Sequence, residues 1–360
     1  MKKSAYILLL AVWAAFTGCA TSELDPIPGK KISFEVGNFV HSTKGNTAVE
    51  FGSFTSKAFL HADGYENITQ DFFGAAGETI TPDNVASPTS WAPGNDYYWP
   101  KSSESYINFV SWYDALSAPT TATETSLVWS ERTIGATDNI LVADAAWRYQ
   151  QNTTNAAQYT GDAITNGVPV LFHHMLSRVG INLAASPLTD PDNSSTTYSV
   201  IIQSISLNSI YSKGTLSLTN SDPGTMATTR AWTPANATYY WNQQGTAGTI
   251  SMTASTLTET PAPALAQRSV LPQPLNDATI DFTYTVVTYS NGTEIIREYD
   301  IPGSVKLNTI KNLSDIAITQ WLPNRIYTYN IIIDPRGTEI RLAPVVESDW
   351  SVIGISATVE

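Results

Sequence analysis

Cysteine is almost absent from this chain: Cys19 is the one thiol among 360 residues. No disulfide can close within the chain, a zinc ribbon cannot be built from one sulfur, and a thiol at residue 19, at the edge of the N-terminal apolar run, is not placed for catalysis. Charge is scarce too. Asp, Glu, Lys and Arg make up 14% of the residues, against about 25% in an ordinary soluble domain. Thr, Ser, Asn and Gly take their place. Positive charge is the rarer sign, with 19 Lys and Arg against 32 Asp and Glu and a formal net charge of −13. A surface this acidic repels phosphate backbones and anionic headgroups, so nucleic acid is not an expected partner. Beyond residue 18 no apolar run approaches the roughly 20 residues that a membrane-spanning helix needs. Helical periodicity is also scarce; only the segments near Asp71 to Gly74 and Leu307 to Leu313 read as short helices.

The first nineteen residues differ from the rest. Lys2 and Lys3 precede an apolar run from Tyr6 to Phe16, and Thr17-Gly18-Cys19 closes it. This is the three-part form of a secretory signal, which is not part of the mature fold. Small residues before a cysteine, directly after the apolar core, resemble a bacterial lipobox, with Phe16 where Leu is commoner. That resemblance implies that residues 1–18 are removed and that Cys19 carries lipid, tethering the protein to the outer membrane. Each buried CH₂ of an acyl chain contributes about 0.8 kcal/mol to such an anchor. The alternative is an ordinary signal peptide that happens to contain a cysteine. Loss of residues 1–18 removes two lysines and no acid, so the formal charge falls from −13 to −15.

Residues 19–30 hold Pro26, Pro28 and Gly29 and read as a flexible tether. Ser22-Glu23-Leu24-Asp25 just after the cysteine is either a surface-export signal or a solvated stretch. The expected fold starts at Lys31. Ile32, Phe34 and Val36 alternate with polar residues, which predicts a strand with one buried face. The same alternation runs through Ser105 to Trp112, Tyr198 to Ile202, Thr279 to Val287 and Arg325 to Ile333. Asn291-Gly292 predicts a hairpin turn. About 340 residues remain after the signal, enough for two domains. The Pro-, Asp- and Ser-rich stretch from Ser186 to Thr197 is the best linker between them. The expectation is therefore an all-β chain with β-sandwich domains over residues 31–187 and 197–360.

Several stretches, in order, resemble the fimbrillin family of Bacteroidetes, also called the Mfa-like or type V pilin family. They are Trp91-Ala92-Pro93 through Tyr97-Tyr98-Trp99-Pro100, Asp138 to Asp144, and Val168-Pro169-Val170-Leu171-Phe172-His173-His174-Met175-Leu176-Ser177-Arg178-Val179. Leu271-Pro272-Gln273, Trp321, Asn324, Tyr327 to Ile331 and Val345 to Trp350 complete the set. The resemblance implies two transthyretin-like Greek-key β-sandwiches and a structural or adhesive role in surface fimbriae, with other subunits as partners. It further implies export as a lipoprotein, a proteolytic cut after the first strand, and entry of a neighbour's strand into the groove left behind. Lys44-Gly45, after the strand of Ile32, Phe34 and Val36, is the matching cut site, although the family's cut often follows Arg. The plainer reading makes Lys44 a solvated turn residue. Beyond Trp350, Ile353, Ile355, Ala357 and Val359 fall on one face, as a donated strand requires. They fit equally the last strand of the second domain, the simpler reading because the tail is short.

His173 and His174 on adjacent strand positions would point to opposite faces, and no further ligands stand at a metal spacing. Asp190-Pro191-Asp192-Asn193 lacks the glycine and closing Glu of a calcium loop, with Ile201 at the twelfth place. No nucleophile elbow, zincin motif or phosphate-binding glycine loop occurs, so no enzyme activity, metal or cofactor is expected. Ten Trp and seventeen Tyr leave a monomeric protein that binds a host glycan or protein as the alternative function. Trp91, Tyr97, Tyr98, Trp99, Trp112 and Tyr113 would form its sugar platform, unless they are core residues.

Overall fold

The computed structural model describes residues 26–36, 52–61, 70–84, 90–100, 105–144, 146–149, 167–222, 225–235, 239–241, 250–337 and 339–350. Among these the protein is all β, with a single short 3₁₀ turn at Leu307–Thr309. The helix expected near Asp71 is instead the strand Gln70–Asp71 running into a turn.

Four larger sheets pack face to face. Sheet I has ten strands, with Phe54–His61 and Tyr106–Asp114 paired at its centre and Phe172–His174 at one edge. Sheet II joins Thr225–Pro234, Lys213–Asp222, Ser126–Thr133 and Thr121–Ala122. Sheet III orders Ala262–Val270, Ser177–Ala185, Arg325–Asp334 and Glu339–Asp349. Sheet IV is built on Thr196–Ile210, Thr279–Ser290 and Thr293–Lys306.

Alternation decides the core between sheets III and IV. Val179, Ile181 and Leu183 face Val200, Ile202, Ile280, Phe282, Tyr284 and Val286 across the gap, and Tyr327, Tyr329, Ile331 and Ile333 complete it. Each alternate residue points inward because successive side chains leave a strand on opposite faces. Trp321 donates its indole N–H to the Tyr329 hydroxyl at 2.9 Å, so the one indole donor in this core finds its acceptor there. The turn at Asn291 and Gly292 forms where expected, with φ of 49° and 79°.

Sheet I behaves differently. Its alternating pattern predicts one buried face, yet both faces are covered. Ile107 and Phe109 enter an aromatic core on one side, while Val110 and Trp112 pack against Leu127, Trp129 and Leu216 of sheet II on the other. The polar positions between them are therefore inside. They are tolerated because they bond: Ser111 donates to the Ser56 hydroxyl at 2.9 Å, and Asn108 bonds to Glu124.

Strands on either side of the stretch expected to divide 31–187 from 197–360 share sheets across it. Ser177–Ala185, upstream of the linker candidate, lies at the centre of sheet III, parallel to Arg325–Asp334. Lys213–Asp222, downstream of it, returns to sheet II beside Ser126–Thr133. The Ser186 to Thr197 stretch crosses from sheet III to sheet IV and is itself folded, with Asp190 N–H bonded to Thr196 O at 2.9 Å and Thr189 bridged to Thr197. Proline and aspartate there mark a tight crossing between two layers of one sandwich.

The junction lies at Met175 and Leu176, both fully buried, between the end strand of sheet I and a central strand of sheet III. Asn324 ties it: its N–H donates to Leu176 O at 3.0 Å, and its carbonyl accepts from Trp350 N–H at 3.0 Å. Trp350 stacks on His174, with ring centroids 3.7 Å apart and 14° between planes, and Arg178 covers it at 4.2 Å. Asn324 takes a left-handed φ of 61° to do this. Asn324→Ala should cost about 1 kcal/mol, since it removes the polar side chain that lets asparagine tolerate a left-handed backbone and that accepts from His174 N–H at 3.4 Å; the thermal midpoint should fall, and an unchanged midpoint would remove this constraint.

Candidate site of strand exchange

The expected removable strand is present, and it is short. Phe34–Val36 runs parallel to Val168–Val170, with Phe34 opposite Val168 and Val36 opposite Val170. On its other side it meets Trp91–Pro93 only at Phe34 and Trp91. It is thus one strand in from the sheet edge, held in a slot between two neighbours.

Ile32 and Phe34 both point into the core, at 1% and 0% exposure, while Val36 is half-buried. Residues 32 and 33 are not regular strand, yet they bond on both sides: Ile32 N–H donates to Tyr97 O at 2.8 Å, and Ser33 O accepts from Val168 N–H at 2.7 Å. The preceding strand, Pro26–Lys31, pairs antiparallel with Tyr98–Pro100 and begins inside the stretch expected as a tether.

The floor of the slot is aromatic. The Phe34 ring meets Phe109 and Phe54 edge-on at 5.3 and 5.8 Å and Phe73 at 6.4 Å. Trp91 and Phe172 extend the cluster through Phe54. Removing a buried Phe side chain typically costs about 3–5 kcal/mol, so an emptied slot would leave a strongly apolar trough. At its rim the Tyr97 hydroxyl donates to Glu78 Oε1 at 2.6 Å. Burial, reinforced by that carboxylate, pushes the Tyr97 phenol up to about 12, so it remains a donor at any physiological pH.

Gly167 was not singled out by sequence reading, although it immediately precedes Val168-Pro169-Val170. Its φ is +115°, and a Cβ there would lie 2.8 Å from the Phe34 carbonyl carbon. The backbone at 167 therefore presses directly on the strand, and only glycine allows this approach.

Other expected site residues lie elsewhere. Cys19, Lys44, Gly45, Ile353, Ile355, Ala357 and Val359 lie outside the described residues. Of the proposed sugar platform, Trp91, Trp99 and Trp112 are at most 5% exposed and cannot offer a ring face to a ligand. Tyr97, Tyr98 and Tyr113 are half-buried. The platform dissolves because these rings fill both cores around sheet I. His174 is fully buried under Trp350, and His173 turns the other way toward Asp144 at 3.0 Å, as adjacent strand positions require. Asp190 and Asn193 bond to their own loop, Asp190 accepting from Asp192 N–H at 3.0 Å and Asn193 from Ser195 N–H at 3.2 Å.

Layered β-sandwiches with a strand slot near the N-terminus define the class of the protein, and comparison with known proteins defines the family. The Fimbrillin-like family matches residues 57–350. The chain belongs to that family. Membership implies a structural, fimbrial role at the cell surface and assembly with other fimbrial subunits. Among solved structures, a candidate cell adhesion protein from Bacteroides uniformis is 14% identical over 91% of this chain and 100% of its own, with a TM-score of 0.50. A fimbrial protein from Bacteroides vulgatus is 15% identical over 89% of this chain and 99% of its own, at 0.49. The tip fimbrial protein Mfa3 from Porphyromonas gingivalis, with a C-terminal truncation, is 11% identical over 83% and 94%, at 0.38. No curated protein sequence matches the chain.

Gly167→Ala should push the Phe34–Val36 strand out of register. Amide hydrogen exchange at residues 34–36 should quicken, while the core between sheets III and IV stays protected. Equal protection at 34–36 in both proteins would show that the close approach does not hold the strand.

Proposed function

We propose that this chain is a fimbrial subunit exported as a lipoprotein on Cys19 and joined to its neighbour by strand exchange at the slot now filled by Phe34–Val36. The carrying observation is the slot itself. A three-residue strand plugs an aromatic trough, with hydrogen-bonding backbone on both sides. Few backbone bonds hold the strand, so it can be withdrawn once the chain after it is cut. The trough it leaves exposes Phe54, Phe73, Phe109 and Trp91, which favours refilling by another extended segment with alternating apolar residues. Lys44-Gly45 supplies the basic cut site after the strand, and Ile353, Ile355, Ala357 and Val359 have the alternation of a donor. The outer membrane, through the lipid on Cys19, is the proposed anchor point before assembly.

A host glycan or protein as an additional partner is the second reading, and the exposed side chains of the Thr293–Lys306 strand favour it. No step in either reading calls for catalysis, a cofactor or a metal.

The test is limited trypsin digestion of the purified protein, followed by electrophoresis under mild denaturant and mass spectrometry. Cleavage after Lys44, loss of the N-terminal peptide and ladders of multiples are expected. A product trimmed at Lys44 that remains monomeric at high concentration would sink strand exchange. Substituting Lys44→Gln should abolish both the cut and the ladders.

A further inference from the structure

The far end of the hairpin formed by Thr279–Ser290 and Thr293–Lys306 carries a row of side chains that the strand slot does not use. On the first strand Ile280, Phe282, Tyr284 and Val286 face the core. Val287 and Tyr289 lie on the opposite face, where Val287 is itself covered and Tyr289 is half-buried. Arg297 lies directly opposite Val287, and Tyr299 follows it by two residues on the same face.

Two bulges shape the row. Thr288 pairs with Ile296 but Tyr289 pairs with Glu294, so Ile295 is an extra residue. That extra residue brings Glu294 to the face of Arg297; in a regular strand, residues three apart point to opposite sides. The result is a two-pronged pair, with Arg297 Nε and Nη2 donating to Glu294 Oε1 and Oε2 at 2.8 and 2.7 Å. The guanidinium carbon lies 5.8 Å from the centre of the Tyr299 ring. A second bulge falls between Glu298 and Ile301, where Asp300 has φ of 53°. Tyr299 is left 66% exposed, an unusual state for a large ring on a sheet, and Tyr289 is half-buried.

The bulges and charges argue against a protein strand at this edge. A ladder interrupted twice within a few residues, and studded with Glu294, Glu298 and Asp300, is how sheets discourage edge pairing. The face is another matter. Its one cation and its nearest carboxylate already neutralise each other: Arg297 holds the Glu294 carboxyl below its usual range. An anion would have to take the guanidinium from Glu294, and a cation would have to take the carboxylate from Arg297. An uncharged ligand breaks neither bond. What remains on offer is an exposed ring face, two phenolic hydroxyls, the Nη1 hydrogens of Arg297 and the outer lone pairs of Glu294. That set matches a molecule with an apolar face and a rim of hydroxyls.

We propose that the row of Tyr289, Glu294, Arg297 and Tyr299 is a binding site for neutral carbohydrate, with a sugar ring stacked on Tyr299. This rests on the glycan-binding reading given above and not on strand exchange, and it needs no cleavage, so it is tested on the uncut, monomeric full chain.

The experiment is binding to immobilised neutral hexose and N-acetylhexosamine oligosaccharides, with acidic glycans alongside, followed by calorimetry on the best neutral probe. Neutral glycans should bind, and Tyr299→Ala should weaken the Kd by about tenfold, while Tyr299→Trp retains it. The exposed position means that neither variant should lower the thermal midpoint. No binding to any neutral glycan, a preference for acidic ones, or a Kd unchanged in Tyr299→Ala would each overturn the assignment.

Discussion

Met175 and Leu176 carry the chain between the two sandwiches, and the rest of the architecture follows from how tightly that step is held. Both are fully buried. The strand before them ends sheet I, and the strand after them sits inside sheet III. The Asn324 backbone fastens the step to the end of the last described strand, and Trp350 lies between His174 and Arg178. Stretches far apart in sequence, around 173–178, 324 and 350, thus meet at one place. The ordered set of motifs through which the chain resembles fimbrillins is largely the set that makes this junction.

With the junction fixed, sheet I is free to be covered on both faces. Sheet II, built largely from chain that has already visited the other sandwich, packs over one side through Leu216 and Leu218. The other side is closed by the aromatic cluster around Phe34. This second closure is the weaker in backbone terms and the richer in apolar surface. Ile32, the three residues of Phe34–Val36 and a few hydrogen bonds keep a trough of phenylalanines and a tryptophan from water. The proposed strand exchange calls for that combination: a plug that can leave and a vacancy that must be refilled.

The edges show the complementary logic. At the Thr293–Lys306 edge two bulges and several charges disrupt the ladder. At the Glu339–Asp349 edge Lys311 O already accepts from Val345 N–H at 2.8 Å, occupying part of the ladder. Both devices direct chain-to-chain pairing away from places where it would be unregulated. The same bulges that spoil an edge also re-aim side chains, which is how Glu294 and Arg297 come to share a face.

Strand content, the Asn291-Gly292 turn, the inward set between sheets III and IV and the inward pointing of Ile32 and Phe34 were legible in the sequence, because alternation and turn chemistry are local. Family kinship was legible too, since it rests on an ordered series of short motifs. Which strands share a sheet was not. Alternation in Ser105 to Trp112 gave no sign that both faces are buried, because burial of Asn108 on one face and Ser111 on the other depends on partners supplied by Glu124 and Ser56. The proline-rich stretch from Ser186 to Thr197 looked like a linker because turn residues mark any sharp change of direction, whether between domains or between layers. Only the fold showed that Trp91, Trp99 and Trp112 are core and that Tyr299 is exposed: aromatic residues look alike in sequence, and long-range packing decides which of them meets water.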